Sequence, residues 1–272
     1  MSGDSEEPGE CSSDRPCRCG EARALDAVIS AAVDSGVEFQ DPFAVYVDPQ
    51  VVLESGARIG AGSHLIGATR VGPGASVGPN AIIEDSTVGS GAEIGSFSVV
   101  SEGSEIAPDA IVKRGSEVRG SVIATKAEIG PNALVEESSV ASKAKVGPFC
   151  RVRAGSDIGA DAYVGTQAEV KASRIGRRSK IGHFSFIGDA DLGCDVNIGA
   201  GSVTANFDGS AVQKTVIADG ASVGAGCVLI APLRLGNRAR TGAGAVVTRD
   251  VADGDLVIGV PARVHAMQRS AV

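Results

Sequence analysis

An apolar residue returns at every sixth position along most of this chain. One register runs Val140, Val146, Val152, Ile158, Val164, Val170. A second runs Val223, Leu229, Leu235, Thr241, Val247, with threonine standing in once, and a third runs Ile59, Leu65, Val71, Val77, Ile83. Glycine follows the apolar residue directly at Gly60, Gly72, Gly147, Gly159, Gly182, Gly199 and Gly224. A period of six belongs to neither a helix nor a flat strand. It belongs to a triangular solenoid, in which each side takes one hexapeptide and three hexapeptides close a coil. The aliphatic side chain points into a narrow prism. Glycine is expected to turn the corners, where positive φ is cheap for it. The expected fold is all-β, a parallel β-helix of about ten or eleven coils at roughly 18 residues per coil.

Composition fits such a prism. Of 272 residues, 37 are glycine, none is tryptophan and 3% are aromatic, as expected where stacked aliphatic side chains leave little room for large rings. The net charge of -8 argues against nucleic acid, whose phosphates call for a basic surface. It leaves room for a small anion in a local basic pocket. No run approaches the ~18 consecutive apolar residues of a membrane span. The acidic, polar first residues do not read as a secretory signal, so the expectation is a cytoplasmic protein with no membrane partner.

Residues 1–20 are rich in Ser, Asp, Glu, Pro and Gly and are expected to be a disordered tail. Residues 21–45 are a helix and lead-in, with Leu25, Val28, Ile29, Ala32 and Val33 sharing a helix face and Gly36 ending it. The solenoid is expected over 46–250, followed by a C-terminal extension over 251–272 that leaves through Gly259-Val260-Pro261-Ala262-Arg263. The clearest break in register is Thr204–Lys214, expected to leave the prism as a loop, the kind of segment on which binding groups concentrate. Cys150, Cys194 and Cys227 lie within the repeat and read as small apolar residues. Cys11, Cys17 and Cys19 cluster in the tail without the fourth ligand a zinc site would want, so no metal is expected.

Three histidines occur: His64, His183 and His265. They are too far apart in the repeat for a three-histidine zinc centre. His183 precedes the interrupted coil. Arg153 and Lys171 are 18 residues apart, so they stack one above the other. Such a pair on an acidic protein suggests an anion pocket, the guanidinium offering a planar fork and the ammonium a point charge. The bland alternative is a solvated basic face. Glu169 could pair with Lys171 or take a sugar hydroxyl.

These residues carry a resemblance. Gly36-Val37-Glu38-Phe39-Gln40-Asp41-Pro42, Gly147-Pro148-Phe149-Cys150-Arg151-Val152-Arg153, Gly188-Asp189-Ala190-Asp191-Leu192-Gly193, Asn197-Ile198-Gly199-Ala200-Gly201 and Asn206-Phe207-Asp208-Gly209 resemble a known family. It is the C-terminal acetyltransferase domain of the bifunctional glucosamine-1-phosphate acetyltransferase / N-acetylglucosamine-1-phosphate uridylyltransferase. The nucleotidyltransferase half of that family is not expected here. The resemblance implies a left hand for the β-helix, a homotrimer with sites between prisms, and acetyl-CoA as acyl donor. It also implies an amino-sugar phosphate as acceptor. His183 matches the general base and Asn206 a catalytic group, such as an amide donor to the oxyanion. Arg153 and Lys171 match the groups that hold the phosphate. Glu169, Asn197, Phe186 and Phe207 fall at acceptor-contacting positions, and Ala200, Ala225, Ala243 and Arg263 along the CoA channel. The family usually has tyrosine where Phe186 and Phe207 stand, lysine where Val212 stands, and arginine where Val260 stands; Lys214 matches a second loop lysine. The implied chemistry is direct attack of an amine on a thioester, with His183 taking the proton, a task imidazole suits because it titrates near neutrality. Its other ring nitrogen is then expected on a carbonyl or carboxylate. O-acylation of a hydroxyl and a non-catalytic trimeric scaffold are the alternatives.

Overall fold

The computed structural model describes residues 27–265. The expected disordered tail, the start of the helix with Leu25, the three tail cysteines and the last seven residues lie outside them. Residues 27–34 are helical, and Gly36 turns the chain out at φ +91°. Ile29 from this helix belongs to the core, with Val28 and Ala32 packed against it.

The rest is a parallel β-solenoid of about 12 turns, matching the expected left-handed β-helix. Short strands stack into three faces. Face I has 14 strands, from Glu38–Phe39 to Arg263–Val264; face II has 12, from Tyr46–Val47 to Val246–Val247; face III has 11, from Val52–Leu53 to Leu233–Leu235. The chain runs from I to II to III in each coil. Strand pairs are parallel except at the end, where Leu256–Ile258 and Arg263–Val264 form an antiparallel closure. The count exceeds ten or eleven because rungs form where the hexad has faded. Glu38–Phe39 pairs with Arg58–Ile59, and Leu256–Ile258 with Arg240–Thr241.

Each face sends one aliphatic column inward. On face II it reads Leu65, Ile83, Val100, Val118, Val135, Val152, Val170 and Ile187, all buried. Each such side chain stabilises by roughly 1.5–3 kcal/mol. Between faces II and III the inward corner is a serine column. The hydroxyls of Ser86, Ser104, Ser121 and Ser138 each accept a backbone N–H from the coil above. The buried corner polar groups are thereby satisfied without water.

The glycines that follow the aliphatic residues have a different role from the one expected. Gly60, Gly72, Gly147, Gly159, Gly182, Gly199 and Gly224 are absent from the positive-φ set. A side chain on Gly182 would run into the backbone of Ala200 in the next coil, and one on Gly224 into Ala243. They are required for close approach. The left-handed turn comes two residues later, and non-glycine residues often take it, including Asn80, Phe97, Phe149 and Phe184.

Candidate active site

Face II places Arg153, Lys171, Glu169 and Phe186 together. Arg153 is the direct ladder neighbour of Lys171, as their spacing requires, and Glu169 is the neighbour of Phe186. Neither cation stands alone. Arg153 Nη1 donates to Glu169 Oε1 at 2.9 Å, and Lys171 Nζ to Asp189 Oδ2 at 3.3 Å. Asn206 Nδ2 donates to the same Asp189 oxygen at 2.5 Å. The four charges therefore compensate within the face, and the basic pair is a mixed ladder. Below it, Arg151 and Arg119 share Glu136.

His183 stands exposed on the edge between faces I and II. The same edge carries Ala200, Ala225 and Ala243 on the next three rungs. Gly201 N–H donates to the His183 carbonyl, Gly226 N–H to that of Ala200, and Gly244 N–H to that of Ala225. At the ~4.8 Å spacing of neighbouring strands, this line is about 14 Å long. The expected carbonyl or carboxylate on the imidazole is not what the ring meets. Thr166 backbone N–H donates to His183 Nδ1 at 3.0 Å, so that nitrogen is an acceptor. Phe184 lies edge-on to the imidazole.

One expected residue stands apart from this cluster within one chain. Asn197 is exposed on face I, between Lys180 and Ser222 in the ladder. Arg263 sits in the C-terminal antiparallel closure opposite Ile258, whose side chain lies over Gly242 next to Ala243, at the upper end of the edge line. Of the other histidines, His64 stacks on Tyr46 near the start of face II, and His265 N–H donates to the Leu256 carbonyl in the C-terminal closure.

The expected loop leaves the prism, but after Ala205, two residues later than the break in register suggested. It folds back on itself, with Phe207 bridging Val212 and Gln213 N–H donating to the Asn206 carbonyl. Asp208 organises it. Its Oδ1 accepts from Ser210 N–H, Ser210 Oγ and Ala211 N–H, and its Oδ2 from Gln213 Nε2. These bonds, led by Ala211 N–H, hold the Asp208 carboxyl well below the usual range. Phe207 stays mostly exposed, and Lys214 reaches Asp191 on face III at 3.8 Å.

Thr204, expected to open the loop, stays in the prism. It occupies the inward column of face II, where Ile187 and Leu229 flank it, and it is buried. Its Oγ1 accepts the Gly188 N–H at 2.7 Å and donates to the Gly188 carbonyl at 3.0 Å. A polar residue in an aliphatic register was the available signal.

No protein-family profile matches the chain. A stretch of it is 52% identical over 77 residues to a protein of Synechococcus sp. (strain RCC307), covering 28% of this chain and 17% of that one. That relative is the bifunctional protein GlmU. The GlmU of Rubrobacter xylanophilus is 51% identical over 82 residues, 30% of this chain and 18% of that protein. The GlmU of Neisseria meningitidis serogroup B is 50% identical over 76 residues, 28% of this chain and 17% of that protein. The matches span under a fifth of the length of each GlmU. Among solved structures, a hexapeptide-repeat containing acetyltransferase of Vibrio cholerae superposes with a TM-score of 0.38 at 23% identity, over 40% of this chain and 72% of that one. A UDP-N-acetylglucosamine acyltransferase superposes with a TM-score of 0.41 at 14% identity, over 84% of this chain and 73% of that one.

Proposed function

We propose that this protein is an acyl-CoA-dependent N-acyltransferase, with acetyl-CoA as donor and the amine of a sugar phosphate or a related sugar-like metabolite as acceptor. The observation that carries the reading is the line of His183, Ala200, Ala225 and Ala243 along one edge, beside the Arg153–Lys171 ladder on the adjoining face. A nucleophile held at the histidine and a thioester arm lying on the small residues would meet there. The similarity to GlmU over part of the chain supports the same reading.

An anionic acceptor is compatible with the paired cations. Lys171 spends one of its three donors on Asp189, and Arg153 one of its five on Glu169. The remaining donors can take phosphate oxygens. Asn197 on face I would join the site if a second prism of a homotrimer laid that face across the edge.

His183 is the general base in this reading, and the attacking amine gives it a proton. A second reading has one observation in its favour. With Nδ1 accepting from Thr166, the neutral ring carries its proton on Nε2, which then donates to the thioester oxygen. Thiol release from acetyl-CoA across a panel of amino sugars and their phosphates tests the activity. His183→Ala is expected to lower kcat by about 10²–10⁴-fold, with folding and donor binding intact. His183→Gln divides the two roles, because an amide donates a hydrogen bond but cannot accept the proton. A loss equal to that of alanine supports the base; a loss under about tenfold supports the donor. No release with any acceptor, or His183→Ala as active as wild type, would overturn the enzyme reading.

A further inference from the structure

We propose that Asp189 determines acceptor specificity as a positioning residue, holding Lys171 and Asn206 in one arrangement. The inference rests on the acyl-transfer reading for its substrate and on comparison with other coils for its argument. Asp189 follows the face II strand Phe186–Gly188 and takes the left-handed turn toward face III at φ +50°. Asp85 holds the same place after Ile82–Glu84, at φ +46°. The backbones match. Asp85 N–H donates to the Ile66 carbonyl at 3.1 Å and Asp189 N–H to that of Lys171 at 2.9 Å, in both cases one coil below.

The side chains diverge. Asp85 Oδ1 accepts the backbone N–H of Ala68 at 2.8 Å, a structural cap between coils. The Asp189 carboxylate is turned to the Lys171 ammonium and the Asn206 amide. The turn itself asks for no carboxylate, since Ala172 makes it one coil below at φ +45°. A charge at this place is therefore not explained by the turn or by capping. It is half-buried, its side chain 22% exposed, and the backbone before it is pinned from inside by the two Thr204 bonds to Gly188. Asp189 thus meets two residues that lie on different coils and in different segments, strand and loop. Without the carboxylate, the long Lys171 side chain regains its rotamer freedom, and the Asn206 amide loses its anchor to the prism.

The test uses the full chain and glucosamine 1-phosphate as probe, with its binding measured by calorimetry and turnover by thiol release from acetyl-CoA. Asp189→Ala is expected to raise the Kd for the probe at least tenfold, to leave the Kd for acetyl-CoA within about twofold, and to leave the Tm in place. Asp189→Asn, whose oxygen still accepts from both partners, is expected to recover part of the affinity. Asp85→Ala is the control: it should lower the Tm and leave both Kd values alone. An Asp189→Ala Kd within threefold of wild type, or weakened acetyl-CoA binding to the same degree, overturns the proposal. If Asp189→Ala does not fold, Asp189→Asn decides: binding as tight as wild type with unchanged kcat overturns it. Wild type that binds the probe but releases no thiol sinks the acyl-transfer reading and leaves the role of Asp189 judged on binding. Wild type that does not bind the probe overturns both.

Discussion

Below Lys171, the coils on face II repeat one another; just above it, one coil departs from the rest in three ways at once. In the lower coils, neighbouring strands keep two or three residues in register, as Val99–Ser101 does with Glu117–Arg119. Between Phe186–Gly188 and Val203–Ala205 a single register pair remains, Phe186 with Val203. The inward column changes from aliphatic to Thr204, and the chain leaves as a loop. A buried N–H that loses its ladder partner costs about 1–3 kcal/mol if nothing replaces it. The Thr204 hydroxyl replaces it for Gly188. Asp189, Thr204 and Asn206 gather where the repeat is interrupted, and Arg153, Glu169 and Lys171 stand on the regular coils beneath.

Three substitutions test that contrast. The largest effect is expected in the regular part. Ile123 is fully buried in the face III column. Ile123→Ala should lower unfolding free energy by about 2–5 kcal/mol in a denaturant titration and leave the acceptor KM unchanged. A change in KM as large as the change in stability would mean that the base is not a passive support. Next is Thr204→Val, which keeps the volume and strands the Gly188 N–H. It should lower stability by about 1–3 kcal/mol and raise the acceptor KM, while Thr204→Ser, which keeps the hydroxyl, should restore both. A valine variant more stable than wild type would show that the interrupted coil gains nothing from the hydroxyl.

The smallest effect is expected on face I. Hydrogen bonds from Lys145 and then Lys113 hold Glu128 below its ordinary range. A depressed carboxylate contributes stability above its unfolded pKa and loses it as pH falls through the folded one. Glu128→Gln should therefore lower Tm at pH 7 by no more than about 2 °C, and the gap should close in acid below that folded pKa. A gap that widens in acid would reverse the sign of the linkage.

The period of six was enough to predict three faces, an aliphatic interior and the meeting of Arg153 with Lys171. The Thr204–Lys214 break in register marked the loop. Other parts had no mark in the residues. The partner of His183 is a backbone N–H, which every residue but proline offers, so Thr166 carried no signal. Asp85 and Asp189 are the same residue in the same turn, and only the surrounding coils turn one into a cap and the other toward Lys171. The glycines after the aliphatic positions were legible as a pattern but not in their cause, because close approach between coils depends on neighbours that are 16 or more residues away. Asn197 was grouped with the acceptor residues by resemblance, whereas its ladder place beside Lys180 puts it on another face.

The detour between Asn206 and Lys214 returns the chain to the rung it left. Lys180 and Asn197 are 17 residues apart in the ladder, and Asn197 and Ser222 are 25 apart, yet both pairs are adjacent strands of one face. Extra length at this corner is invisible to the coils above. Lineages can therefore lengthen, shorten or exchange the segment without renegotiating the fold, as a socket accepts different fittings. On the proposed reading Asn206 and Phe207 travel with it, so an exchange of this segment would alter two acceptor-contacting positions while Arg153, Lys171 and Asp189 stay on the stacked coils.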